Sequence, residues 1–369
     1  MAAQATAAEP VFAGVAYLAN ASDAPKLFPF SWAIDSLAKR NGTTLDDRFF
    51  RALEKSGVHL SRELAARQGV AFALAFDEET ASRDRIANRS RLLVTIGAQL
   101  VAFDFKEQLA LASFPVSVER IEIVPDQAGA AFFTAVRDTL FRLVTSDDRS
   151  LLKLAADSYR RLKVRDGLPC KIQTQGATLD SSAARVGNGR FPGNATEVSR
   201  QLSDIFARTW ITVTNYPLLP SQQSQAVNGK MAGQFSDGRI FNLKVPDPDY
   251  LIVLDSAATR RKTVGSSAAG RTDAVGAYMQ FTVLEPLTKT RVASGTFKDV
   301  IVDQVPALQT EIDEWIPARG AFESLFAGFS SAVRTGDTKW FTEHAVSPSA
   351  AQAGPQFHTW LTSKCALSH

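Results

Sequence analysis

Few residues in this chain have the type and spacing to do chemistry. The best case is Asp77 and Asp255, because each follows a short apolar run, FALAF before the first and YLIVL before the second. Carboxylates at strand ends are where α/β folds often hold ligands, so this pair could serve small-molecule binding or hydrolysis. It could equally end two strands and cap the turns that follow. Glu78 and Glu79 add charge beside the first aspartate only.

Other motifs are weaker. Gly265 to Thr272 (GSSAAGRT) has the spacing of a phosphate-binding loop, but Arg271 stands where a lysine should reach the phosphates. It also precedes a hairpin instead of opening a helix, so we expect a flexible strand connection without nucleotide affinity. In Gly187 to Gly193 (GNGRFPG), Pro192 interrupts any dinucleotide fingerprint, which leaves a turn-rich loop. The histidines at 59, 344, 358 and 369 form no ligand pair at helical spacing, and no serine sits in a GxSxG elbow. The expectation is a protein without catalytic residues, cofactor or metal.

The elements that would position Asp77 and Asp255 are organised around two hairpins. Arg91 to Arg120 reads as two long strands joined at Lys106-Glu107-Gln108, and Ala277 to Val300 as two more joined at Leu287-Thr288-Lys289. Setting Ala112-Ser113 on Ala293-Ser294 brings Gln99 onto Gln280 and Asp104 onto Glu285 without a gap. Before the first hairpin, Val11–Leu18 suits a buried strand and Phe30–Lys39 a helix. Thr43 and Thr44 followed by Asp46 and Asp47 mark a helix start, and that helix stops at Ser56-Gly57. Val58–Leu60 reads as a short strand, Ser61–Arg67 as a short helix and Val70–Phe76 as a strand, with the polar EETASRDRIANRS as a loop. After the hairpin, Gly129–Val144 carries Phe133, Val136 and Leu140 at helical spacing.

The second half repeats the order. Cys170–Thr178 is its first strand, Ala195–Arg208 a helix, Trp210–Thr214 a short strand, Pro220–Lys230 a small helix and Tyr250–Leu254 a strand. A polar loop, SAATRRKTVGSSAAGRTDAVG, precedes the hairpin, and Gly320–Val333 closes the unit with Phe322, Leu325, Phe326 and Phe329 on one face. The fold expected is therefore α/β, with a mixed sheet in each of two tandem copies of a strand-helix-strand-helix-strand-hairpin-helix module. The copies are residues 11–145 and 170–334, with a flexible 1–10, a linker helix in 146–169 and a tail at 335–369. Within the tail, Thr335–Val346 suits a short helix and SPSAAQAGPQ a linker. Its Trp340, Phe341, Phe357 and Trp360 either pack back on a domain or present a docking segment, which makes Trp340 and Trp360 candidate partner contacts.

This order of elements resembles the small α/β module shared by the curli secretion channel lipoprotein, the amino-terminal domain of TolB and the penicillin-binding-protein activating lipoproteins. The resemblance covers nearly all of 11–145 and 170–334 and implies assembly, scaffolding or docking in the bacterial envelope, with envelope proteins as partners and room for an oligomer.

Composition sets the outer limits. At 369 residues, two cores are the prior. A formal charge of +3 with no basic stripe gives no reason to invoke nucleic acid, and no apolar run reaches the roughly 20 residues of a membrane-spanning helix. The small residues of MAAQATAAEP are like the start of a mature exported chain, which places the protein in the periplasm or outside the cell; a disordered cytoplasmic terminus is the alternative. Cys170 and Cys365 are too few for a framework, and a single long-range disulfide between them stays open. The function expected is non-catalytic docking, for example by strand addition. The competing class is a small-molecule binder or hydrolase near Asp77 or Asp255, which a cleft between the halves lined by converging polar groups would favour.

Overall fold

A computed structural model describes residues 10–18, 23–62, 69–126, 130–145, 150–161, 170–186, 195–220, 226–227 and 230–366. The fold is α/β with two mixed sheets. In the first half, β1 (Val11–Tyr17), α1 (Ala24–Leu27), α2 (Pro29–Arg40) and α3 (Leu45–Lys55) precede three long strands, β2 (Val70–Ile86), β3 (Arg89–Asp104) and β4 (Leu109–Pro125). Helices α4 (Ala130–Thr145) and α5 (Leu151–Arg161) follow. Helix α3 starts where its sequence says it should: Asp47 N donates to Thr44 Oγ1 at 3.1 Å and Thr44 N donates back to Asp47 Oδ2 at 3.3 Å, a reciprocal cap. Its Leu45, Phe49 and Leu53 are buried against β1 and the other helices.

In the second half come β5 (Ile172–Gln175), α6 (Ser181–Val186), α7 (Ala195–Thr214), β6 (Ala226–Val227), β7 (Lys230–Phe235) and β8 (Ile240–Lys244). A second meander follows, β9 (Tyr250–Ser267), β10 (Gly270–Glu285) and β11 (Thr290–Pro306), then β12 (Gln309–Glu311) and the helices α8 (Trp315–Thr335), α9 (Thr338–His344) and α10 (Pro348–Lys364). In each half a short first strand lies parallel to the first strand of an antiparallel meander: β1 beside β2, and β5 beside β9.

The two hairpins share their register. The offset that carries Gln99 onto Gln280 turns the pair Gln99–Pro115 into Gln280–Thr296, and Ala102–Ala112 into Val283–Ala293. It also carries a bulge onto a bulge, since the pairing slips after Ala102 in one and after Val283 in the other. Gln108 (φ 51°) and Lys289 (φ 58°), the two non-glycine residues that close the turns in left-handed backbone, correspond as well.

The first sheet recruits strands from the second half. The β7–β8 hairpin pairs with β1 through Ala16–Phe235 and with β4 at Leu109–Lys244, so the sheet closes on itself. The enclosed face packs Ala71, Ala73, Val101 and Phe103 around Met231, Phe235 and Phe241. Gly233 makes this possible, because a Cβ there would lie 2.3 Å from the Phe241 ring. The opposite face carries Phe72, Leu74, Ile96, Leu100 and the buried sides of α2 to α5, so α5, read as a linker helix, lies in the first core. The second core is aromatic: Phe281 stacks on Phe329 at 3.8 Å, amid Phe206, Phe297 and Phe326.

Several expected boundaries are overturned, in β2 and β9 because polar side chains that look solvated are paired with other strands or with the other half. Strand β2 runs on through Glu78, Glu79 and Arg83 to Ile86 where a loop was expected, and β9 runs on past Asp255 to Ser267. Gly265 to Thr272 is a tight strand turn between β9 and β10, not a flexible connection, and Arg271 is held by Asp273 at 3.0 Å. Trp210–Thr214 continues helix α7, with Thr214 Oγ1 donating to the Trp210 carbonyl at 2.7 Å. Val58–Leu60 forms no strand, and only Ser61 bridges to Val11. Ala226–Val227 and Lys230 are strand, not helix. SPSAAQAGPQ is the start of α10, not a linker. The expected helix at 61–67 and the loop at 187–193 lie largely or wholly outside the described residues. Cys170 and Cys365 form a disulfide that ties the start of β5 to the end of α10.

Candidate functional site at the junction of the halves

A bulge in β2 builds the junction. Phe76 pairs with Ala98 and Glu78 with Gly97, so Asp77 is the extra residue, and the two consecutive carboxylates both reach the face turned toward the second half. Asp77 accepts from Gln99 Nε2 at 2.8 Å, and Gln99 accepts from Ser113 Oγ at 2.5 Å. Glu78 accepts from Arg208 Nη1 at 2.6 Å. Gly97 is required opposite them, since a Cβ there would lie 2.9 Å from Glu78 Cβ and 3.1 Å from Asp77 Oδ1. The next residue, Glu79, faces the other way and accepts from Phe30 N, Ser31 N and Ser31 Oγ at the start of α2.

The arginines come from two helices of the second half. Arg200, Asp204 and Arg208 sit four residues apart and form one stripe of α7. Arg200 Nη1 donates to Asp204 and to the Asp77 carbonyl, both at 2.8 Å. From α8, Arg319 reaches Thr95 Oγ1 at 2.6 Å, Glu119 at 3.1 Å and Glu323 at 2.9 Å. Burial and pairing compete on each carboxyl. Burial pushes Asp77 up to about 6 against the pull of Arg208, and holds Asp204 well above the usual carboxylate range despite Arg200. Burial would raise Glu78 too, but Arg208, Arg319 and Arg200 together keep it low. Burial also pushes Glu79 up to about 7, although three hydrogen bonds favour its charged form.

Two spaces adjoin this cluster. One is a cavity of about 10 Å³ among Gln99, Ser113, Thr174 and Asp204, room for a single water. The other is a cleft of about 570 Å³ where β4 and α5 of the first half meet α7 and α8 of the second, with Arg208 and Glu323 in its wall.

Asp77 and Asp255 are not brought together. Asp77 is committed to the junction, while Asp255 lies within β9, half-exposed, accepting hydrogen bonds from Thr178 Oγ1 and Ser256 N. Neither stands at a strand end. The tail aromatics pack back: Trp360 is buried against Trp210 and Tyr250, and half-buried Trp340 lies on Phe297 and stacks on His344. His59 is exposed on the loop after α3, His358 donates to the Val333 carbonyl, and His369 lies outside the described residues. Among the described residues no group of His, Cys, Asp and Glu converges to hold a metal ion, and no helix is long and apolar enough to cross a membrane.

Sequence reading missed Arg200, Asp204, Arg208, Arg319 and Glu323. Their one signal is the Arg-Asp-Arg stripe on α7, a pattern that normally marks a solvated helix face.

No protein-family model matches this chain, and neither does any curated protein. Among solved structures, the Xanthomonas campestris protein XCC0632, of family DUF330, aligns with 13% identity over 47% of this chain and 87% of its own length, at a TM-score of 0.22. That likeness is too slight to bear on function.

Proposed function

We propose that this chain is a non-catalytic docking or assembly component of the bacterial cell envelope, built from two tandem copies of one α/β module, and that it engages a partner protein by strand addition. The two outer edge strands carry this conclusion. Beyond Val116, β4 has β3 on one side and no strand on the other among the described residues, and β11 beyond Lys298 has only β10. Both expose β-branched residues there: Ile121 and Ile123 on β4, Val300 and Val302 on β11, each more than half exposed. Edges of monomeric proteins are normally blunted with charge or proline, and these segments do carry Glu122 and Pro125, Asp303 and Pro306, but the exposed apolar residues between them on two equivalent strands favour a partner that covers them.

Three further observations support the reading. The shared register, bulge and turn backbone of the hairpins are what a duplication would leave. A disulfide fits a chain that matures outside the cytoplasm. The acidic residues nearest to a site are engaged by arginine and amide groups, which suits a structural role for Asp77.

Site-specific photocrosslinking in the host cell tests it. A benzoylphenylalanine placed at Val302 or at Ile121 should give a discrete adduct that is absent when the same group replaces exposed Leu27 on α1. If neither edge position gives an adduct, or if Leu27 gives the same one, the edges are not docking sites.

A further inference from the structure

The open edge of β4 has an order that a strand partner must match. Ser113 N donates to the Leu218 carbonyl across that edge, so Ser113 turns its main-chain groups away from β3. The β3–β4 pairing runs without a slip from Ala112 to Pro125, and successive residues of an antiparallel strand turn their main-chain groups to alternate sides. Pro115, Ser117, Glu119, Ile121, Ile123 and Pro125 therefore also point to the open side. The two prolines agree with this, since they have no N–H to give to β3. They also bound the free stretch, which leaves the N–H groups of Ser117, Glu119, Ile121 and Ile123 without an acceptor among the described residues.

The side chains along this stretch, Glu119-Arg120-Ile121-Glu122-Ile123, complement themselves when two copies run antiparallel. With Ile121 at the centre, it lies opposite Ile121 of the second copy and exchanges two main-chain hydrogen bonds with it, while Arg120 lies opposite Glu122 on both sides. Glu119 and Ile123 exchange main-chain bonds crosswise. Moving the centre by one residue sets Arg120 against Arg120 or Glu122 against Glu122, and like charges directly opposite are destabilising. Arg120 Nε already pairs with Glu122 Oε1 at 2.9 Å within the strand, so a second copy completes an alternating ring of four charges. On the opposite face Ile121 and Ile123, 57% and 52% exposed, supply the apolar contact. The matching stretch of β11 lacks the pattern: Ile301 stands where β4 has Arg120, so the same pairing would set Ile301 against Asp303.

We propose that the β4 edge docks a second copy of this chain in an antiparallel ladder centred on Ile121, which makes the protein a two-fold symmetric dimer. The proposal rests on the docking reading and names the occupant of one of its two edges, leaving β11 for a different partner.

Sedimentation equilibrium of the full-length protein tests it. We expect a reversible monomer–dimer equilibrium with a dissociation constant of roughly micromolar order. Arg120→Glu, Glu122→Arg and Ile121→Asp each set like charges opposite one another across the two-fold axis, and each should weaken dimerisation by about tenfold or more with far-ultraviolet dichroism unchanged. An equimolar mixture of Arg120→Glu and Glu122→Arg should recover the dimer, because each variant then meets the opposite charges. Recovery also shows that both are folded, and Ile121→Asp keeps the test decisive if one of them is not. A full-length protein that stays monomeric at about 100 µM, or a dimer indifferent to every folded variant, would overturn the proposal. Failure here is distinct from failure of the docking reading. A monomer whose benzoylphenylalanine at Ile121 captures a different protein removes only the second copy, whereas an adduct with the mass of two chains supports both.

Discussion

One inserted residue decides the chemistry of the junction. Without the bulge at Asp77, strict alternation would send Asp77 and Glu78 to opposite faces of β2. With it, both serve the junction and Glu79 is left to the other face, under the start of α2. The acidic run was visible in sequence, but alternation counted without a bulge cannot say which carboxylate faces which neighbour, and nothing local announces the bulge.

Glu79 gives the clearest test at this scale. Its carboxyl is pushed by burial to about 7 from an ordinary 4.5, so the folded state holds a proton that the unfolded chain releases. That contribution to stability is fully present below pH 4.5 and is lost as the pH rises through 7, at most about 3 kcal/mol. Asp77, raised to about 6, acts in the same direction. Glu79→Gln removes the titration at one position, so melting temperature followed from pH 5 to pH 8 should fall less steeply in the variant than in the wild type. Parallel curves would mean that Glu79 ionises normally in the folded protein.

At the scale of elements, the hairpins were legible because apolar alternation and turn residues are local signals. The ends of β2, β9 and α7 were not. In the two strands, strand-depleted Asp, Glu and Arg were read as loop while their partners lie on another strand, as Arg261 with Asp303, or in the other half, as Glu78 with Arg208. The β-branched end of α7 (WITVT) was read as strand. Helix α10 failed for a different reason. Pro355 and a Ser/Ala/Gly-rich composition argue for a linker, but Ser347 Oγ accepts from Ala350 N to start the helix, and Phe357, Trp360 and Leu361 bury its inner face. Gly354 reveals how close that packing is. Helix propensity alone says that Gly354→Ala should stabilise α10 by up to about 1 kcal/mol. The added Cβ, however, would sit 2.3 Å from Cγ of buried Phe341 on α9. Overpacking of this kind costs about 1–3 kcal/mol, so we expect net destabilisation by urea unfolding; a more stable variant would show that α9 can shift away freely.

At the scale of the whole molecule, the two halves correspond in order but do not stand apart. The β7–β8 hairpin from the second half closes the first sheet, β12 pairs with β2, and Asp313 N donates to buried Asp84 Oδ1 at 2.6 Å. Sequence reading divided the chain into two expected copies because each half has the elements for a core, and the stretch leading into the hairpin that crosses between the halves was taken for a helix. The crossing has an energetic consequence. Without residues 170 onward, the face of the first sheet bearing Ala71, Ala73, Val101 and Phe103 loses Met231, Phe235, Phe241 and Leu243, and Glu78 loses Arg208. Breaking that buried pair alone costs about 3–5 kcal/mol, and exposing the apolar face adds to it at about 25 cal/mol per Å². Those losses rival the roughly 5–15 kcal/mol that stabilises a typical domain. A fragment ending at residue 169 is therefore expected to lack the near-ultraviolet dichroism of packed aromatic residues and to melt without a cooperative transition, while the full chain unfolds in one. A fragment that melts cooperatively, or a full chain with two well-separated transitions, would show that the halves fold as independent domains and that the crossing hairpin is an accessory.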